Sequence, residues 1–132
     1  MSNPIGISSI HHLAIICSNY EVSKKFYTEI LGFKIINETY RKDRDSYKLD
    51  LAINGTYCIE LFSFPSPPKR PSRPEACGLR HLAFGVEDLE KSIQILQSKN
   101  VITEAVRIDE LTGKKFCFFQ DPDALPIELY AL

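Results

Sequence analysis

Ser9-Ile10-His11-His12-Leu13-Ala14-Ile15-Ile16 and Leu79-Arg80-His81-Leu82-Ala83-Phe84-Gly85-Val86 share the word His-Leu-Ala, 69 residues apart. A second pair of matching stretches lies downstream. Asn54-Gly55-Thr56-Tyr57-Cys58-Ile59-Glu60-Leu61 parallels Pro122-Asp123-Ala124-Leu125-Pro126-Ile127-Glu128-Leu129, each a turn running into a strand with Ile-Glu-Leu at the same place. His12 precedes Glu60 by 48 residues and His81 precedes Glu128 by 47. Self-similarity of this kind makes the repeat, and not the single residue, the unit of architecture.

Worked outward from those stretches, each half reads β-α-β-β-β. The first opens with a strand over 7–17, followed by a helix. Ser18-Asn19-Tyr20-Glu21 has capping-box form, Val22, Phe26 and Ile30 recur at helical spacing, and Gly32 supplies the left-handed stop. Strands follow at 33–40, 47–53 and 57–64, the last two joined through Asn54-Gly55, a strong hairpin turn pair. The second half repeats the plan: a strand at 79–86, a helix capped by Asp88 with Leu89, Ile93 and Leu96 on one face, and strands at 102–108, 115–120 and 127–131. Between them, residues 65–74 hold five prolines, an extended connector that resists helix and ladder alike. The reading is an α+β fold: one domain over 1–132, built from a 7–64 module, a 65–77 linker and a 78–132 module.

Composition is that of a globular chain, 44% apolar and 25% charged over 132 residues. Lys and Arg number 16 against 17 Asp and Glu, so no global field favours nucleic acid or a membrane surface. No apolar run approaches the roughly 20 residues that span a bilayer, and the N-terminus lacks a signal-peptide pattern, so a cytoplasmic location is expected. Cys17, Cys58, Cys77 and Cys117 lack C-x-x-C spacing and read as small hydrophobes, with Cys77 alone near a loop.

Strand alternation places the candidate chemistry. Ile59 and Leu61 flank Glu60, Ile127 and Leu129 flank Glu128, and these apolar neighbours suit the helix-covered face, so the carboxylates project from the other. A carboxylate within so apolar a strand needs a partner. Taken singly, a strand histidine is more often a core or edge residue than a ligand, and a strand glutamate is more often paired with Arg or Lys. Four in register across a duplication point instead to one metal site made of His12, Glu60, His81 and Glu128. Two imidazoles and two carboxylates suit Ni, Co, Zn, Fe or Mn better than Ca or Mg, and leave open positions for a chelating substrate. His11 falls on the opposite strand face and reads as a non-ligand.

Ile10-His11-His12-Leu13-Ala14-Ile15, Phe26-Tyr27, Leu31-Gly32-Phe33, Ile59-Glu60-Leu61, Arg80-His81-Leu82-Ala83-Phe84 and Asp121-Pro122-Asp123 leading to Ile127-Glu128-Leu129 together resemble the vicinal oxygen chelate superfamily. The resemblance is to bacterial glyoxalase I and its short relatives. It implies paired βαβββ modules whose mixed sheets curl around a metal cleft, a homodimer, ligands at His12, Glu60, His81 and Glu128, and nickel, cobalt or zinc as the ion. The implied reaction is a proton shift on the methylglyoxal-glutathione hemithioacetal, with Glu128 as base and Glu60 facing it across the ion. Where glyoxalase I places a basic residue and an Asn to hold glutathione, this chain has Ile16 and Phe64. Arg73, Arg80 and Lys115, with Lys69, Arg70, Arg41 and Arg44, are then candidates for some other acidic group, or a solvated surface. The alternatives are an epimerase or lyase on a non-glutathione acidic substrate, and a metal-free small-molecule binding protein.

Overall fold

The computed structural model describes residues 3–132; the first two residues of the expected domain lie outside it. The chain divides into two compact units, one ending at Pro67 and the other running from Pro68 to Leu132. Each unit is built on its own four-stranded mixed sheet, and with few helices the fold is α+β.

In the first unit, strand β1 (Leu13–Cys17) leads to helix α1 (Tyr20–Lys25), and β2 (Lys34–Arg41), β3 (Ser46–Ile53) and β4 (Thr56–Ser63) complete the sheet in the order β1-β4-β3-β2. β1 runs parallel to β4, and the other pairs are antiparallel. The first strand is six residues shorter than the expected one, so His11 and His12 precede it. Asn19, not Ser18, caps α1, its side chain accepting from the Val22 N–H at 3.2 Å. The helix continues as a π turn over Phe26–Ile30, closed by Leu31 N–H to Phe26 C=O. The buried residues of this helical stretch, Tyr20, Ser23, Phe26 and Tyr27, keep ordinary i, i+3, i+4 and i+7 spacing, while Val22, expected on the buried face, is exposed. Asn54 and Gly55 both take positive φ, 49° and 81°, as the tight hairpin turn demands.

The second unit repeats the order: β5 (Leu82–Val86), α2 (Leu89–Ser98), β6 (Arg107–Ile108), β7 (Lys115–Gln120) and β8 (Pro126–Ala131), arranged β5-β8-β7-β6. Asp88 caps α2 through the Lys91 N–H, and Leu89 and Leu96 are its buried contacts. β6 is far shorter than the 102–108 expected. Ile102 is 90% exposed, and ahead of Arg107 the segment reaches β7 through the Glu104 N–H to Phe118 C=O, without a continuous ladder.

Leu49, Leu51, Ile59 and Leu61 are fully buried in the first unit, as are Cys117 and Ile127 in the second, with Phe119 and Leu129 nearly so. These side chains occupy the sheet faces opposite Glu60 and Glu128, as strand alternation requires. All four cysteines are free thiols. Among the described residues, no helix is long and apolar enough to cross a membrane.

Candidate functional site

Each unit brings its own histidine to its own glutamate. Glu60 on β4 lies beside Ala14 of β1, and Glu128 on β8 lies beside Ala83 of β5, so the two carboxylates hold equivalent positions. The histidine two residues before that alanine stands just ahead of its strand. His12 Nε2 is 3.2 Å from Glu60 Oε1, and His81 Nε2 is 3.3 Å from Glu128 Oε1. The glutamate side chains are only 15% and 13% exposed.

These spacings are informative for metal binding. Donors about 2.1 Å from a cation are about 3.0 Å apart at a right angle and about 3.4 Å apart at a tetrahedral angle. Both observed pairs fall between the two. The donor chemistry, imidazole nitrogen beside carboxylate oxygen, fits a borderline divalent ion. Among the described residues no group of three or more His, Cys, Asp or Glu side chains is gathered to hold an ion, so each unit presents a pair of such donors.

The first unit surrounds its pair with polar support. Tyr57 Oη donates to Glu60 Oε2 at 2.7 Å, Lys48 Nζ lies 3.4 Å from the same oxygen, and Lys48 also binds Asp50 at 2.7 Å. Oε1 is thereby left to face His12. Partial burial pushes the Glu60 carboxyl up, but the Tyr57 hydroxyl, Lys48 and His12 together outweigh it and hold the group below the usual carboxylate range. The Tyr57 hydroxyl is raised, first by burial and then by its bond to Glu60. Its ring also stacks on His12 at 5.6 Å.

Tyr57 reaches Glu60 because of a bulge. The β3–β4 register runs Asp50↔Glu60, Leu51↔Ile59, then skips to Ala52↔Tyr57. The extra residue, Cys58, shifts the side-chain alternation by one, so Tyr57 arrives on the Glu60 face despite an odd separation. Sequence reasoning could not see this. It also misplaced His11: lying ahead of β1, the two rings are not on opposite strand faces, and their Nδ1 atoms are 2.8 Å apart. If His12 Nε2 is a free donor atom, its Nδ1–H must donate to His11 Nδ1, which fixes both tautomers.

The second unit supports its pair differently. Phe118 takes the place of Asp50 opposite Glu128, and its ring meets the His81 ring edge-on at 5.1 Å. Among the described residues, the polar side chain that contacts the Glu128 carboxylate is His81.

The residues expected to touch substrate are dispersed. Ile16 is exposed on β1. Phe64 stacks on Phe62, with the Arg41 and Arg44 guanidiniums 5.5 and 5.2 Å from its ring. Arg73 and Arg80 are exposed and share Glu75. Lys115 pairs with Glu90 of α2, which puts it on the helix side of the sheet, away from the Glu128 face. Arg107, which no sequence pattern marks, stacks on Phe116 and Phe118.

Two mixed sheets of this order, each presenting a His–Glu pair from one face, define a class, and the comparisons with known proteins agree with it. The model of the Glyoxalase/Bleomycin resistance protein/Dioxygenase superfamily matches residues 9–129, and the chain belongs to that family. It is 64% identical to the uncharacterized protein YwkD of Bacillus subtilis, over 94% of this chain and 97% of that protein. It is 60% identical to the uncharacterized protein YaeR of Escherichia coli, over 96% and 98%. A solved glyoxalase family protein from Enterococcus faecalis superposes with a TM-score of 0.87 at 48% identity, covering 92% of this chain and 96% of that one. More distant relatives are a glyoxylase I of Arabidopsis thaliana, at 26% identity, and the metallothiol transferase FosB of Staphylococcus saprophyticus, at 30%. Members of the family commonly use a divalent metal.

Proposed function

We propose that this chain is a metal-dependent lyase or isomerase of glyoxalase type, acting on a small molecule that presents two adjacent oxygens. The observation that carries the reading is the pair of equivalent His Nε2–Glu Oε1 approaches, 3.2 and 3.3 Å, at matching register positions in two sheets. A two-donor half-set is too few for tight binding, and His12, Glu60, His81 and Glu128 together make a charge-neutral shell for nickel, cobalt or zinc. The halves come from one chain or from two copies in a homodimer. A divalent cation bound there supplies Lewis acidity, polarising the substrate oxygens and acidifying the adjacent C–H.

The two carboxylates divide the work. Glu60, braced by Tyr57 and Lys48, is held charged and in place, as a permanent ligand must be. Glu128, which faces Phe118 and, among the described residues, lacks the Tyr and Lys bracing of Glu60, would take the carbon-bound proton on a carboxylate oxygen and return it to the neighbouring carbon. His11 and Tyr57 orient the His12 ring.

The test is thioester formation from methylglyoxal and glutathione, with and without chelator, beside Glu128→Gln. Turnover that chelation removes and nickel or cobalt restores, and that Glu128→Gln lacks, is the expected result. Full activity after chelation or in Glu128→Gln would overturn the mechanism. Protein that retains no divalent ion on elemental analysis would overturn the metal site.

A further inference from the structure

A cavity of about 340 Å³ opens in the second unit beside His81, and its walls are basic. It is lined by Arg70, Arg73, Arg80 and Arg107 with Glu75 and Glu104, and Phe118 and His81 also line it. The arginines are not equivalent. Arg70 is consumed by the fold: its Nε donates to Ser72 and its guanidinium to the carbonyls of Leu79 and Arg80 at 2.6 and 2.9 Å, tying the connector to the segment that carries His81. The other three face the cavity with donors to spare. Arg73 and Arg80 approach the same Glu75 oxygen at 3.6 and 3.7 Å, and Arg107 approaches Glu104 at 3.6 Å. Each distance exceeds a good charged hydrogen bond, and each guanidinium has five N–H groups. Three cations thus share two loosely held carboxylates.

Arg107 is the best placed of them. It lies on β6 opposite Phe116, and its guanidinium sits 5.0 Å from the Phe116 ring and 5.4 Å from that of Phe118, the ring that meets His81 edge-on. Stacking orients the planar fork and leaves its N–H edge available, the arrangement suited to a bidentate oxyanion.

We propose that this cavity is the binding site for an anionic group, carboxylate or phosphate-like, on the same molecule whose adjacent oxygens reach His81, with Arg107 as the principal anchor and Arg80 and Arg73 closing over it. The proposal rests on the metal-site reading for what happens at His81. Its anion-binding part stands on the cavity alone. The natural substrate is therefore an acidic small molecule, with the charge placed toward the second unit.

The full chain is titrated with methylphosphonate and, separately, with succinate, following the His81 imidazole signals by NMR. It is run as purified and after zinc loading, with retained zinc measured by elemental analysis. Binding of either anion is expected, the tighter one identifying the headgroup chemistry. Arg107→Gln should raise the dissociation constant about tenfold, the loss of one charged hydrogen-bonding partner. Glu104→Gln, which removes a competing carboxylate, should lower it severalfold. Both sites are exposed, so neither change threatens the fold. No perturbation of His81 by either anion, or equal affinity in Arg107→Gln, would overturn the proposal. Loss of zinc retention with anion binding intact would overturn the metal reading instead.

Discussion

Tyr57→Phe isolates one hydrogen bond at the candidate metal site. The substitution removes the hydroxyl that donates to Glu60 Oε2 at 2.7 Å, while the ring that stacks on His12 remains. A hydrogen bond to a charged group contributes about 1.5–3 kcal/mol. Lys48 stays 3.4 Å from the same oxygen and takes over part of the role, so the low end applies. About 1.4 kcal/mol corresponds to about a tenfold weaker metal affinity, at the low end of what supporting residues around metal ligands contribute. The assay is competition for nickel or zinc against a chromophoric chelator. Tyr40→Phe is the control, since it deletes a bond of the same length, to Asp45. An affinity in Tyr57→Phe within about twofold of the wild type, or an equal loss in Tyr40→Phe, would refute the claim that Tyr57 aims Glu60.

The packing makes further expectations. Leu49→Ala, at a fully buried position, should cost about 2–5 kcal/mol in urea unfolding, whereas Ile16→Ala, exposed on the other face, should cost less than about 0.5 kcal/mol. Gly55→Ala forces a side chain into φ 81° and should destabilise by about 1 kcal/mol, read in the same experiment. The Glu38 carboxyl is held below its usual range, first by Lys24 and then by Tyr20. A depressed folded value stabilises the protein above the ordinary carboxylate range, and that contribution disappears as pH falls through the folded value. Glu38→Gln should therefore flatten the acid limb of a stability-pH profile and lower stability near neutrality.

Much of the fold was legible because its cues are local. Asn54-Gly55 announced its hairpin, Asp88 its helix, and Ile-Glu-Leu the inward and outward faces of β4 and β8. What was not legible depended on partners distant in sequence. The segment from Ile102 reads as a strand over 102–108, yet only Arg107 and Ile108 pair with β7 as a ladder, the residues ahead of them touching it through the Glu104 N–H to Phe118 C=O bond. Val22 matched a helical stripe, but the face that packs on the sheet is the neighbouring one, Tyr20, Ser23, Phe26 and Tyr27, and which of two adjacent stripes is buried depends on what the helix packs against.

By itself the sequence determined the duplication, the four candidate ligands and the sheet face from which Glu60 and Glu128 project, since these follow from repeat spacing and from a side-chain period of two. Only the tertiary structure decided what stands beside them. A single extra residue at Cys58 turns Tyr57 onto the Glu60 face, and the late start of β1 brings His11 against His12. The stacking of Arg107 on Phe118 depends on which residues of β6 and β7 pair. Register is a property of two strands together, so no pattern within one strand reveals it.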